Sequence, residues 1–119
     1  MRTKCLLIID DDVELCEELA ESFRNEGYAV TCSSDPSKAD GLIRDLENGT
    51  ILLDYKMPEI TGIDILKKLK ADNIRKRIFI FSGRPDVRRL LYEEDLLDMV
   101  AGIIKKPGDF KTILKTVAT

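Results

Sequence analysis

Two hydrophobic rhythms alternate along the chain. Short unbroken apolar runs, Cys5-Leu6-Leu7-Ile8-Ile9, Ile51-Leu52-Leu53 and Ile78-Phe79-Ile80-Phe81, read as strands buried on both faces. Residues 28–33, β-branched and alternating in part, and residues 100–105 read as two more. Between the strands, apolar residues return at helical spacing. Cys16, Leu19, Ala20 and Phe23 mark a helix over 13–26, and Ala39, Leu42, Ile43 and Leu46 a second. Ile65, Leu66 and Leu69 mark a third over 63–71, Val87, Leu90 and Leu91 a fourth, and Phe110, Ile113, Leu114 and Val117 the last. The punctuation agrees. Asn25-Glu26-Gly27 is a helix stop, and Ser34-Asp35-Pro36 is a start, with a capping residue before proline. Residues 58–62 read as a loop, and 95–99 carry no clear stop for the fourth helix. Five strands alternating with five helices predict one α/β domain over 1–119: a parallel sheet with helices on both faces and right-handed crossovers.

Composition narrows the partners. At 119 residues the chain is one domain with room for a real core. No apolar run approaches the ~20 residues of a membrane span. The start, Met1-Arg2-Thr3-Lys4 before Cys5 to Ile9, is too short in its apolar part for a secretory signal. The net charge of −3 argues against nucleic acid as the main partner. Basic runs at Lys67-Lys68, Arg75-Lys76-Arg77 and Arg88-Arg89 read as solvated faces and loops. Cys5, Cys16 and Cys32 each lie in an apolar segment and read as small buried core residues, which suits a reducing cytoplasm. With no histidine in the chain, a zinc site is disfavoured and the commonest general base is missing.

The chemistry collects at strand ends. Asp10 and Asp11 follow the first strand, Asp54 the third, Ser82 the fourth and Lys106 the fifth. A parallel sheet places all these ends on one edge, where open α/β sheets bind ligands. Three carboxylates gathered there repel and raise one another's pKa, and a hard divalent cation such as Mg²⁺ relieves the conflict. Such a site suits phosphoryl transfer: metal and lysine neutralise phosphoryl oxygens, a hydroxyl donates to another, and a carboxylate attacks phosphorus. Asp54, on the central strand, is the best nucleophile. Asp10 and Asp11 would hold the metal, and Asp12 would cap the first helix.

These residues resemble a known family, the receiver domain of two-component response regulators. The matching pieces are Leu7-Ile8-Ile9-Asp10-Asp11, Leu53-Asp54-Tyr55-Lys56-Met57-Pro58 with Gly62, Phe81-Ser82-Gly83 and Lys106-Pro107. The resemblance implies a flavodoxin-like fold with strand order 2-1-3-4-5. It implies Asp54 as phosphoacceptor and Asp11 as a direct Mg²⁺ ligand. Asp10 would act mainly through water, and Lys56 through its backbone carbonyl. It also implies that Ser82 hydrogen-bonds the phosphoryl group, that Lys106 pairs with Asp54 and then with that group, and that the Lys106-Pro107 bond is cis. The partners implied are a sensor histidine kinase or phosphotransfer protein and a downstream effector protein or domain. The only catalysis implied is self-phosphorylation and autodephosphorylation, in the cytoplasm. Phosphorylation would shift the face of helix four, strand five and helix five. The family commonly dimerises on activation through its last helices.

Two departures touch that face. Many receivers carry an aromatic three residues before the lysine, where this chain has Ile103, and the segment from Ser82 to Lys106 is slightly long. They point to a variant relay. Two other readings compete. Asp10-Asp11-Asp12 and Ser82-Gly83-Arg84-Pro85 loosely resemble motifs of haloacid-dehalogenase-type phosphatases, with Asp10 as nucleophile. That reading leaves Asp54-Tyr55-Lys56-Met57-Pro58 unexplained. A pseudo-receiver that only docks proteins would have no use for an intact acidic pair, acceptor, serine and lysine.

Overall fold

The computed structural model describes residues 4–119. The charged start, Met1-Arg2-Thr3, lies outside them. The five strands are β1 (Lys4–Ile9), β2 (Tyr28–Ser33), β3 (Thr50–Asp54), β4 (Arg77–Ser82) and β5 (Gly102–Lys105). All pair in parallel in the order β2-β1-β3-β4-β5, the predicted 2-1-3-4-5. The α-helices are α1 (Val13–Asn25), α2 (Ala39–Asp45), α3 (Gly62–Ala71), α4 (Val87–Glu93) and α5 (Phe110–Ala118).

Strand alternation divides the core into two layers. Leu7, Ile9, Ile51, Leu53, Ile78 and Ile80 pack with Ile43, Ile65, Leu66, Leu69 and Leu91 from α2, α3 and α4. Leu6, Ile8, Leu52, Phe79, Phe81 and Ile104 pack with Leu19, Ala20, Phe23, Ile113 and Val117 from α1 and α5. Each large apolar side chain contributes about 1.5–3 kcal/mol when fully buried. The unbroken apolar runs therefore follow from a sheet covered on both sides, not from membrane contact.

Local signals set most helix starts. Asp12 accepts from the Leu15 N–H at 3.1 Å and Asp109 from the Thr112 N–H at 2.9 Å. Thr61 and Asp64 cap α3 reciprocally: the Thr61 hydroxyl accepts from the Asp64 N–H at 3.2 Å, and the Asp64 carboxylate accepts from the Thr61 N–H at 2.9 Å.

Several boundaries differ from the sequence reading. α1 ends at Asn25, with Glu26 as its cap. The second helix opens with a 3-10 turn, Pro36–Lys38, and its α-helical part stops before Leu46. The stretch read as a loop over 58–62 contains half of a small antiparallel ribbon, Lys56–Met57 against Ile60–Thr61, with Glu59 in a left-handed turn and Gly62 already in α3. Met57 and Ile60 pack against the core and hold that ribbon down, which turn composition alone does not show. The fourth helix is short. It stops at Glu93, Asp95 turns left-handed, and a 3-10 turn, Leu97–Met99, leads into a strand beginning at Gly102 rather than at 100. Leu96 and Met99 are buried there, so this apolar group is core. The Lys106-Pro107 peptide is cis.

Cys16 is the buried core residue expected and Cys32 is half-buried against the same layer, but the sequence reading did not foresee that a disulfide joins the two, with Cα atoms 6.2 Å apart. The pairing arises because α1 packs on β2, a contact invisible in their spacing.

Candidate functional site

The strand ends meet as the topology requires. Ile9 pairs with Leu53, Asp54 with Phe81 and Ser82 with Lys105, so Asp10, Asp54, Ser82 and Lys106 emerge at one rim. Backbone bonds beyond the ladders hold them there. The Asp10 N–H donates to Ser33 at 3.1 Å, the Tyr55 N–H to Phe81 at 3.2 Å, and the Lys106 N–H to Ser82 at 2.9 Å.

The Lys106 ammonium bridges two carboxylates, at 2.7 Å from Asp10 Oδ2 and 3.0 Å from Asp54 Oδ1. The other Asp10 oxygen accepts from the Asp12 N–H at 3.0 Å. Asp10 is 1% exposed and Asp54 5%, whereas Asp11 is exposed. The three acids each bring a carboxylate oxygen to within 4.8 Å of the others. Lys56 follows two residues after Asp54, in the ribbon, with its side chain exposed. Ser82 is buried, and its hydroxyl oxygen accepts from the Arg84 N–H at 3.0 Å, which leaves the O–H free to donate. Lys105 is exposed, as alternation from Lys106 predicts.

Charge is poorly balanced here. Burial, the Asp10 charge and, least of the three, contact with Asp11 together hold Asp54 up at about 7, against the downward pull of Lys106. Burial alone would lower Lys106, but its bonds to Asp10 and Asp54 outweigh that and leave it above its ordinary value. One ammonium thus compensates the three acids only in part. The donor set is all oxygen, close-spaced and short of positive charge, which fits a hard divalent cation such as Mg²⁺. Asp10, Asp11 and Asp54 are the carboxylates that come together there.

The glycine at 62 belongs to the same geometry. A Cβ there would lie 3.4 Å from the Asp54 carbonyl oxygen and 3.5 Å from the Tyr55 Cα, and the Gly62 N–H donates to Tyr55 at 2.7 Å. The Asp-x-x-Met-Pro-x-x-x-Gly spacing therefore returns the chain tightly against Asp54 and Tyr55. Two neighbours of the site escaped the sequence reading. Phe81 lies under the Lys106 ammonium, 4.9 Å from ring centre to Nζ. Arg84 lies over the Tyr55 ring at 5.6 Å and pairs with Asp86 at 2.9 Å, holding the Asp86 carboxyl down at about 2. Arg84 follows two residues after Ser82, but its partners come from the fold.

The family model of the response regulator receiver domain matches residues 6–118. The chain belongs to this family. The receiver is 33% identical over 105 residues to the DNA-binding response regulator MtrA of Mycolicibacterium smegmatis, an alignment covering 88% of this chain and 42% of that protein. It is 26% identical over 107 residues to the probable transcriptional regulatory protein TcrX of Mycobacterium tuberculosis, covering 90% and 42%. The receiver thus spans under half the length of these curated relatives. Among solved structures, the Francisella response regulator 1452 receiver domain superposes with a TM-score of 0.84 at 25% identity, covering 97% of this chain and 93% of that one. The Vibrio cholerae chemotaxis protein CheY4 superposes with a TM-score of 0.82 at 20% identity, covering 98% of both. The family match replaces the phosphatase-like reading of Asp10-Asp11-Asp12 and Ser82-Gly83-Arg84-Pro85.

Proposed function

We propose that this receiver takes a phosphoryl group on Asp54 from the phosphohistidine of a sensor kinase or phosphotransfer protein, and passes the resulting change of state to an effector protein or domain. The observation that carries this reading is the Lys106 ammonium held between Asp10 and Asp54, with Asp11 beside them. Mg²⁺, when bound, supplies charge neutralisation for the phosphoryl oxygens and the carboxylates. Asp10, Asp11, Asp54 and the Lys56 carbonyl are its proposed ligands.

An Asp54 carboxylate oxygen attacks phosphorus while the phosphorus–nitrogen bond to the donor imidazole breaks and its electron pair leaves with the ring. Lys106 is already within hydrogen-bond reach of Asp54 and turns its ammonium to an oxygen of the transferred group. The Ser82 hydroxyl, one position beyond the Asp54 pairing partner, donates to another. Hydrolysis of the acyl phosphate resets the site.

The exposed face of α4, β5 and α5 would carry the output, including self-association on activation. Ile103, half-buried beside that face, stands where an aromatic reporter would be, so the relay runs without its rotation. A receiver of net charge −3 acts through proteins rather than nucleic acid. The proposed place of action is the cytoplasm; no described helix is long and apolar enough to cross a membrane.

The test is incubation with acetyl phosphate and Mg²⁺, read by intact mass. Wild type gains one phosphoryl group, labile to base, and Asp54→Asn gains none. Uptake by Asp54→Asn equal to that of wild type overturns the assignment, and no uptake by wild type returns the docking-module reading.

A further inference from the structure

Outside the acidic rim, another pair of reactive side chains meets among the described residues. Cys16 lies in the first turns of α1 and Cys32 near the end of β2, the edge strand of the sheet. Their Cα separation of 6.2 Å falls within the ~4.4–6.8 Å that disulfides span. Cys16 is 1% exposed, whereas Cys32 is half-buried.

Their position relative to the acids matters more than their proximity. Cys32 pairs with Ile8 in the β1–β2 ladder, and the next residue, Ser33, accepts the Asp10 N–H at 3.1 Å. On the other side, the Cys16 N–H donates to the Asp12 carbonyl at 3.0 Å. The bridge therefore closes a ring through the first turn of α1, the Asp10-Asp11-Asp12 triplet and the ladder to β2.

We propose that Cys16 and Cys32 are a reversible disulfide site, closed by exchange with a small-molecule disulfide, whose bond clamps the acid-bearing turn and tightens its hold on a divalent cation. Cys32 is the entry point because it is the more accessible. Its thiolate attacks one sulfur of the small disulfide, and one small thiolate leaves. The Cys16 thiolate then attacks Cys32 Sγ in the mixed disulfide and displaces the second. The small disulfide accepts the two electrons, and the two protons lost by the cysteines end on the two released thiols. In a reducing compartment such a bridge opens and closes with the thiol poise rather than persisting as a fixed brace. The clamp on the acids rests on the proposed metal site; the bridge itself does not.

The experiment compares the full chain reduced with dithiothreitol and equilibrated with oxidised glutathione. Under non-reducing denaturing conditions, the oxidised protein is expected to lose two of its three thiols, with Cys16 and Cys32 recovered in one cross-linked peptide. For a bridge spanning 16 residues, its melting temperature should rise by about 10 °C. By isothermal titration, the oxidised form should bind Mg²⁺ severalfold more tightly. Cys5→Ser should retain all three changes, and Cys32→Ser should lose them. The site is overturned if wild type keeps all its thiols, if glutathione stays on Cys32 without a bridge, or if Cys32→Ser still stiffens on oxidation. Equal Mg²⁺ affinity in both redox states overturns the clamp. That outcome is distinct from a failure of the metal site, in which neither form binds Mg²⁺.

Discussion

Burial and the Asp10 carboxylate hold Asp54 up at about 7, so the metal-free site keeps its proton well above the ordinary carboxylate range. A carboxyl protonated in the fold but ionised in the unfolded chain binds more protons when folded. Stability is then fully present below the ordinary value of 3.8 and is lost as pH rises toward about 7. Asp54→Asn removes that dependence while keeping an acceptor for Lys106. Chemical denaturation without Mg²⁺ should find the variant similar to wild type near pH 4 and more stable by roughly 2–4 kcal/mol at pH 8. A pH-independent difference would mean that Asp54 is ionised throughout. The residues that create this conflict were legible one by one, as acids at strand ends. The burial that sharpens it was not.

Among the elements, two glycines separate local preference from packing. Gly41 lies on the exposed side of α2 with nothing within 4 Å of where a Cβ would sit, so Gly41→Ala should stabilise by about 0.5–1 kcal/mol through helix propensity. Gly49, just before β3, has φ +148° and would place a Cβ 2.7 Å from the Cys5 carbonyl oxygen. Gly49→Ala should destabilise by about 2 kcal/mol or more, and because β3 carries Asp54 it should also slow phosphoryl uptake. Urea melts of the two variants shifting in the same direction would contradict this account. Their sequence contexts differ little in kind; the Cys5 carbonyl beside Gly49 comes from the neighbouring strand. The short α4 has a similar origin. Asp95 in a left-handed conformation ends it, and Leu96 and Met99 then turn into the core, so burial rather than a stop signal sets the boundary.

On the scale of the whole molecule, the sheet separates two apolar layers and leaves its chemistry on one rim, where charge is the remaining imbalance. Ion pairs such as Lys67–Glu94 at 2.8 Å and Arg75–Asp98 at 2.9 Å tie α3 and its following loop to the segment after α4. Being solvent-exposed, they contribute little each. A cation bound at the rim would act on the entire fold. Mg²⁺ should raise the melting temperature, and more at pH 8 than at pH 5, because it competes with the proton on Asp54; chelation should reverse the gain. A shift that is flat with pH would remove Asp54 from the ligand set. The order of strands and helices, the double-sided burial and the five residues at the strand ends could be read from the chain alone. Alternation and helical spacing are local consequences of backbone geometry, and a parallel sheet permits only one edge for its strand ends. The Lys106 bridge between Asp10 and Asp54, the ribbon after Asp54, the turn at Asp95 and the meeting of Cys16 with Cys32 were settled only when distant segments packed. Each depends on distances between residues far apart in the chain, and no local pattern encodes those distances.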